Sequence, residues 1–163
     1  MNIIVAVDEN WSIGYLGKIQ WHVKEDLAYF KAKTLNKTIV MGRKTLESLK
    51  DAKPLKNRNN IILTKNAEYK VDDALVLNTL EEVLEAIKDE DPSQIFIIGG
   101  ESIYKAFLPY CKKAFITKVY GSFQADKYFP NLDQSDQWEL THKSDRMVTE
   151  NGTHISFHEY ERK

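Results

Sequence analysis

The segment Thr38-Ile-Val-Met-Gly-Arg-Lys-Thr45 decides the fold, because it carries a short apolar run directly into a glycine and two cations. Residues 38–41 predict a strand, and residues 43–49 predict a short helix. A strand that passes through a tight turn into a helix is the repeating unit of α/β proteins. We therefore expect an α/β domain.

The same alternation continues on both sides of this segment. The further predicted strands cover residues 3–7, 61–63, 74–77, 94–98 and 115–120. Further helices are predicted over residues 27–35, from residue 79 onward, and over residues 101–108. Thr79 precedes Glu82 by three residues, which is the spacing of a capping box at a helix N-terminus.

The carboxyl-terminal part has a different pattern. Residues 138–142 and 153–160 are strand candidates joined by a polar loop that contains Asn151-Gly152, and no helical period lies between them. Such strands are expected to pair antiparallel. We predict a single domain over residues 1–163, with a mostly parallel central sheet, an antiparallel C-terminal edge and helices on both faces.

Composition narrows the class of partner. The 163 residues are 42% hydrophobic and 29% charged, with a formal net charge of -1. These are the proportions of an ordinary globular domain, and the charge balance gives no reason to expect a nucleic-acid or membrane partner. Cys111 is the single cysteine, so no disulfide can form within the chain. With no basic leader at the start, we expect a cytoplasmic protein, most simply a monomer.

Three predicted strands end in residues suited to an anion. Gly42-Arg43-Lys44-Thr45 follows the first, Thr64-Lys65 the second and Gly99-Gly100 the third. Cations at a helix start oppose the helix dipole unless an anion binds there, and two glycines allow close approach of a ligand to the backbone. Solvated surface cations and an ordinary tight turn are the alternatives at these positions.

Common cofactor and metal motifs are not found. The sequence contains neither G-x-G-x-x-G nor a Walker A pattern, so a dinucleotide would have to bind in a way that differs from a Rossmann fold. No metal-ligand spacing occurs, and no metal is expected. The four histidines, which we interpret as surface or strand residues, are His22, His142, His154 and His158.

Asp26 is the candidate for proton chemistry. If a helix begins near Lys24, Asp26 lies in its first turn, with Leu27 beside it and Phe30 one turn further on. A carboxylate against an apolar face has a raised pKa, which suits proton transfer. An acid that only complements the helix dipole remains the alternative.

A long loop precedes this acid. Residues 10–21 contain two glycines and several polar residues that interrupt the apolar pattern. Loops of this length in compact domains often form lids over a site, although a surface excursion is also compatible with the pattern.

These features together resemble dihydrofolate reductase of the bacterial chromosomal type, over essentially the whole chain. The matching residues are Ile13-Gly14, Trp21, Asp26-Leu27, Phe30-Lys31, Thr34, Val40-Met41-Gly42-Arg43-Lys44-Thr45, Glu47-Ser48, Pro54-Leu55, Asn57-Arg58, Asn60 to Thr64, Ile98-Gly99-Gly100, Tyr104, Leu108-Pro109, Ile116-Thr117 and Phe129-Pro130. The resemblance implies NADPH-dependent reduction of dihydrofolate to tetrahydrofolate, which feeds one-carbon metabolism and thymidylate and purine synthesis. It also implies that dihydrofolate and antifolate inhibitors are the partners.

The resemblance further implies roles for particular residues. Asp26 would hold the pterin ring, Thr117 would support it through water, and Trp21 would complete the catalytic set. Arg58 would clamp the glutamate tail of the substrate. The residues that would form the walls of the substrate cleft are Val5, Ala6, Leu27, Phe30, Leu49, Leu55 and Ile98.

NADPH is the implied cofactor. Residues 10–23 resemble the mobile lid over the nicotinamide, and Gly99-Gly100 resembles the turn that carries a cis peptide in this family. Arg43, Lys44 and Lys65 resemble the residues that bind the 2′-phosphate and the other phosphates. The residues implied to contact the cofactor are Ala6, Ile13, Gly14, Ile19, Gly42, Arg43, Lys44, Thr45, Leu63, Thr64, Lys65, Gly99, Gly100, Glu101, Ser102, Ile103 and Tyr104.

Three positions depart from the family pattern. Gln20 and Lys24 stand where the family has proline, and Ala125 stands where a glycine is common. All three concern the lid or the loop expected to contact it, so they bear on lid rigidity, closure rate and product release rather than on the reaction.

Two other functions are compatible with parts of the pattern. A pyrimidine reductase of the riboflavin pathway shares this architecture, but it would not require Asp26 together with Arg58. A nucleotide-binding module without turnover would be favoured if the acid were missing, and the acid is present.

Overall fold

One central sheet organises the computed structural model, which describes all residues from Met1 to Lys163. The strands are β1 (Asn2–Val7), β2 (Ser12–Gly14), β3 (Thr38–Gly42), β4 (Asn59–Leu63), β5 (Leu75–Leu77), β6 (Ile95–Gly99), β7 (Lys113–Val119), β8 (Lys127–Tyr128), β9 (Trp138–Lys143), β10 (Met147–Val148) and β11 (His154–Arg162). The α-helices are α1 (Lys24–Thr34), α2 (Arg43–Ser48), α3 (Leu80–Ile87) and α4 (Glu101–Phe107). The predicted elements are all present, with bounds that differ by a few residues.

The sheet is parallel through its centre. Its spatial order is β10-β11-β7-β1-β6-β3-β4-β5, and the pairs from β7 to β5 all run parallel. The carboxyl ends of β6, β3 and β4 are therefore neighbours on one edge of the sheet. This is the edge at which ligands of open α/β sheets bind.

The C-terminal edge is antiparallel, as predicted. The long strand β11 pairs antiparallel with β7 on one side and with β9 and β10 on the other. The short strand β10 was not predicted, and neither was the separate two-stranded sheet of β2 and β8. Strands of two or three residues are too short to show an alternating pattern in the sequence.

The start of α3 shows how local sequence fixes an element. The hydroxyl of Thr79 accepts a hydrogen bond from the Glu82 N–H at 3.1 Å, which caps the helix as predicted. The Glu82 carboxylate accepts from the Thr79 hydroxyl at 3.2 Å, rather than from the Thr79 N–H of a full capping box.

The structure has three apolar cores, and the two with the most residues lie on opposite faces of the sheet. The larger one packs α3 and α4 against the sheet through Val83, Ile87, Ile103 and Phe107. The smaller one includes Leu46 of α2, with α1 packed against it. Helices therefore cover both faces, as the sequence predicted. None of the helices has the length and the apolar character needed to cross a lipid bilayer.

Candidate active site

Three neighbouring strand ends bring the predicted anion-binding residues to one edge. In the sheet register Gly42 pairs with Leu63, and Met41 pairs with Gly99. Arg43 and Thr64 therefore leave the sheet side by side, with Gly100 on the other flank of β3. We call the segments 42–45, 64–65 and 99–100 the cofactor edge.

Glycines allow the helices at this edge to approach closely. A Cβ atom on Gly42 would lie 3.1 Å from Ile103 Cγ1, and one on Gly100 would lie 3.6 Å from Thr45 Oγ1. The starts of α2 and α4 thus lie against each other, and neither helix has a side-chain cap at its first residue. The Gly99-Gly100 peptide is cis, as the family resemblance implies.

The cations of this edge are available to a ligand. Lys44 and Lys65 are exposed and have no carboxylate within 4.0 Å. Arg43 is half-buried, with its Nε atom 3.6 Å from Glu47 and its guanidinium 6.0 Å from the Tyr69 ring centroid. The positive charge is therefore little neutralised within the protein, which fits a phosphate-bearing ligand such as NADPH.

Asp26 lies in the first turn of α1, as expected from its sequence context, and is half-buried. Burial raises the pKa of its carboxyl, while the nearby Thr117 hydroxyl acts in the opposite sense as the smaller effect. Thr117 is 2% exposed and lies on β7 opposite Ala6 of β1. A single hydroxyl stabilises a carboxylate only weakly, so the Asp26 carboxyl holds a proton more readily than an exposed aspartate.

Most of the predicted wall residues lie on the α1 face of the sheet. Phe30, Leu49, Leu55 and Ile98 pack against the smaller core. Leu27 is exposed, with 53% of its surface accessible, although it follows Asp26 directly. An apolar side chain left open beside the acid suits a cleft that receives a flat ring.

Val5 differs from the other predicted wall residues. Its side chain belongs to the larger core on the opposite face, whereas the neighbouring Ala6 packs against the core formed by Val23, Val119 and Ile155. Side chains alternate between the two faces of a strand, so Val5 and Ala6 cannot both point into one cleft. Val5 can border the cleft only through its backbone.

Arg58 precedes β4 and is half-buried. One of its amino groups donates to the Lys56 carbonyl at 3.2 Å, while its buried Nε atom has no hydrogen-bond partner. Burial lowers the pKa of this guanidinium. A buried donor without a partner is rare in proteins, and a carboxylate ligand would satisfy it.

Several predicted cofactor contacts also hold the protein together. The Tyr104 hydroxyl donates to the Ile4 carbonyl at 2.9 Å, and the Glu101 carboxylate accepts from the Tyr128 N–H at 2.6 Å. Ile103 is buried in the larger core, Leu63 packs against it, and Ser102 is exposed. Of this group, Ser102 has the side chain most open to a ligand.

The predicted lid, residues 10–23, is anchored along its length. Ile13 packs against the larger core, and Gly14 pairs with Lys127 through β2 and β8. The Leu16 N–H donates to Asp126 at 3.1 Å. Ile19 lies beyond these anchors with 65% of its surface exposed, which leaves it open to a bound ring.

The three departures from the family pattern have structural partners. Lys24 forms an exposed ion pair with Glu150, and Gln20 donates to the Tyr15 carbonyl at 3.4 Å. The Ala125 carbonyl accepts from the Tyr128 hydroxyl at 3.5 Å. Gln20 thus makes a polar contact within the lid, and Lys24 links the start of α1 to Glu150.

Asp8 is an organising residue that the sequence reasoning missed. It is fully buried and accepts hydrogen bonds from three backbone N–H groups on two segments. The one signal in the sequence was a charged residue directly after an apolar strand, and nothing nearby in the sequence indicates its distant partner.

The chain is similar to known proteins over nearly its whole length. The chain matches the dihydrofolate reductase family over residues 1–162. It is 37% identical to a dihydrofolate reductase of Bacillus subtilis (strain 168), over 86% of this chain and 80% of that protein. It is 36% identical to that of Neisseria meningitidis serogroup B, over 98% and 96%. Among solved structures, dihydrofolate reductase from Enterococcus faecalis complexed with NADP(H) and RAB-propyl is 32% identical, with a TM-score of 0.88 over 99% of this chain and 95% of that one.

Proposed function

The chain belongs to the dihydrofolate reductase family, whose reaction is the NADPH-dependent reduction of 7,8-dihydrofolate, and we propose that Asp26 is the residue that promotes substrate protonation in this chain. The observation that carries the proposal is a half-buried carboxyl with a raised pKa, supported by the buried hydroxyl of Thr117.

The chemistry divides between cofactor and protein. NADPH supplies the hydride, and the protein supplies orientation, electrostatics and exclusion of water. Asp26 binds the amino group and ring nitrogen of the pterin. A carboxyl in this poorly solvated position favours a proton on the ring nitrogen beside the acceptor carbon, which makes that carbon more electrophilic.

The substrate lies between apolar walls and one cation. Phe30, Leu49, Leu55 and Ile98 flank the ring and its extension on the α1 face. Arg58 binds the carboxylate of the glutamate tail, and its unpartnered Nε atom supports this assignment.

Phosphates of the cofactor bind at the cofactor edge. Arg43, Lys44 and Lys65 hold the 2′-phosphate and its neighbours, with the hydroxyls of Thr45 and Thr64 as further hydrogen-bond donors. The support is that three cations follow adjacent strand ends and that two of them have no internal partner.

The lid covers the nicotinamide. Ile13, Gly14 and Ile19 lie against the ring, and Trp21 closes the lid over the pterin. Water is kept from the site, which strengthens the electrostatic effect of Asp26.

We further propose that the protein acts as a cytoplasmic monomer on small molecules and binds no nucleic acid. The net charge of -1 and the single buried cysteine, Cys111, support this.

The direct test is NADPH oxidation by the purified protein with dihydrofolate. We expect the absorbance of NADPH to fall only when both compounds are present, and tetrahydrofolate to form in equal amount. No oxidation by folded protein across pH 5 to 9, a range chosen to span ordinary carboxyl shifts, would contradict the assignment.

A further inference from the structure

Asp8 makes a set of contacts that the proposed reaction does not use. It follows β1 directly and has 0% of its surface exposed. Its Oδ1 atom accepts from the N–H groups of Asn10 and Ser12, both at 2.9 Å. Its Oδ2 atom accepts from the Phe123 N–H at 3.0 Å. One carboxylate thus binds two segments of the chain, one with each oxygen.

The Oδ1 side fixes the amino-terminal end of the lid. The same turn is closed by the Asp8 N–H donating to the Ser12 carbonyl at 3.2 Å and by the Trp11 N–H donating to the Asp8 carbonyl at 3.1 Å. This turn leads directly into β2, which contains Ile13 and Gly14. Asp8 therefore sets where these two residues stand.

The Oδ2 side reaches the other end of the lid. The Phe123 ring lies 5.3 Å from the Trp21 ring, centroid to centroid, at a tilt of 58°. Both rings pack against a third core, which is formed by Val23, Val119 and Ile155. The path from Asp8 through Phe123 to Trp21 therefore connects the beginning of the lid with its end.

We propose that Asp8 is a positioning residue of the reductase reaction, which holds both ends of the lid in the arrangement required for hydride transfer. The proposal rests on the proposed function, because it assigns residues 10–23 as the lid of that reaction. A carboxylate is required since it alone offers two acceptor oxygens and no donor. An asparagine keeps one acceptor and places an amide NH₂ against the remaining backbone N–H.

The test is Asp8→Asn in the full chain, measured by single-turnover hydride transfer with both ligands saturating. Misplacement of a lid that orients the reacting groups lowers the rate, and we expect a loss of about tenfold. Cofactor Kd and substrate KM should change much less than the rate, because the Asp8 side chain is fully buried and the cofactor edge and Arg58 are unaltered.

Two further variants separate positioning from stability. Ile87→Ala truncates a buried side chain of α3, a helix outside the lid and outside the proposed site, so it lowers Tm but should leave the hydride-transfer rate unchanged. Phe123→Leu keeps the backbone N–H that Asp8 accepts and removes the aromatic contact with Trp21. We expect Phe123→Leu to slow hydride transfer, and the double variant with Asp8→Asn to be no slower than the slower single variant.

Each outcome decides the proposal. A wild-type hydride-transfer rate in Asp8→Asn, or a loss equal to that of Ile87→Ala, would overturn it. If Asp8→Asn does not fold, an unchanged rate in Phe123→Leu would overturn it instead. A wild-type protein without turnover would overturn the proposed function, and this inference with it.

Discussion

The cofactor edge and the lid are built in opposite ways. At the cofactor edge the charges are cations, of which Lys44 and Lys65 are exposed and Arg43 is half-buried, and the residues follow their strands directly in the sequence. Around the lid the carboxylates of Asp8 and Asp126 accept hydrogen bonds from backbone N–H groups. These contacts join distant positions, with Asp8 and Phe123 separated by 115 residues and Leu16 and Asp126 by 110. The cofactor edge is suited to bind the charge of a ligand, whereas the carboxylates around the lid bind backbone N–H groups of the protein itself.

The difference shows which functional residues can be recognised from a short stretch of sequence. A strand end presents its residues at a predictable edge, so cations there can be recognised from order alone. A lid depends on contacts between loops that are far apart in the sequence. The two regions should therefore respond differently to substitution, since the cofactor edge affects binding and the lid side affects turnover.

The largest effect is expected at Asp26 on the lid side. Asp26→Asn removes the group that promotes protonation, and we expect turnover near pH 7 to fall about 100- to 1000-fold, the range of acid–base catalysis. NADPH affinity should change little, because the cofactor edge is intact. Steady-state kinetics together with cofactor titration test this.

Stability provides the control for this variant. Burial raises the pKa of Asp26, so its charged form is less favourable in the folded than in the unfolded protein. That destabilisation exists above the unfolded pKa and disappears as pH falls below it. Asp26→Asn should therefore have a higher free energy of unfolding at pH 7. Low turnover with lower stability would indicate misfolding rather than lost chemistry.

The next effect concerns the cofactor edge. Arg43→Ala or Lys44→Ala should weaken NADPH binding about 10- to 100-fold, the value of a charge-assisted hydrogen bond, and weaken NADH binding much less. The measurement is KM for both cofactors. Lys88→Ala, at the residue that follows α3, is a matched control that removes an exposed cation elsewhere. Equal losses for NADPH and NADH would refute the 2′-phosphate assignment.

A smaller effect is expected at Arg58. Arg58→Leu should raise KM for dihydrofolate about tenfold with kcat nearly unchanged, because the tail binds equally in the ground and transition states. A pterin substrate without the glutamate tail serves as the control, since its KM should be the same in both proteins. A selective loss of kcat would instead place Arg58 in the chemistry.

The smallest effect is expected at the ion pair between Lys24 and Glu150. Both side chains are largely exposed, and such pairs contribute about 0 to 1 kcal/mol. Glu150→Gln should change turnover by less than about threefold, and the difference should vanish at high salt. A large loss that persists at high salt would show that this contact governs the lid.

The sequence alone predicted the sheet, its antiparallel edge and the clustering of the cofactor edge. It did so because each depends on local periodicity and on the rule that parallel strands end together. Thr79 illustrates the strength of such signals, since its capping role needs only a partner three residues away.

Features that depend on three-dimensional closure were not predicted. The direction in which the Val5 side chain points depends on which core lies on each face of β1. The helices that form these cores are far from β1 in the sequence. Asp8 can accept the hydrogen bond of the Phe123 N–H only when β7 is paired with β1. Strands β2 and β8 exist because these loops are already held together.

The pH dependence of hydride transfer in a single turnover tests the role of Asp26 most directly. Because burial raises the pKa of this carboxyl, the rate should be high at acidic pH and fall as pH rises through an apparent pKa above that of an ordinary aspartate. In Asp26→Asn this transition should be absent, with recovery only in more acidic solution where the substrate itself is protonated. The same transition in both proteins would contradict the role assigned to Asp26.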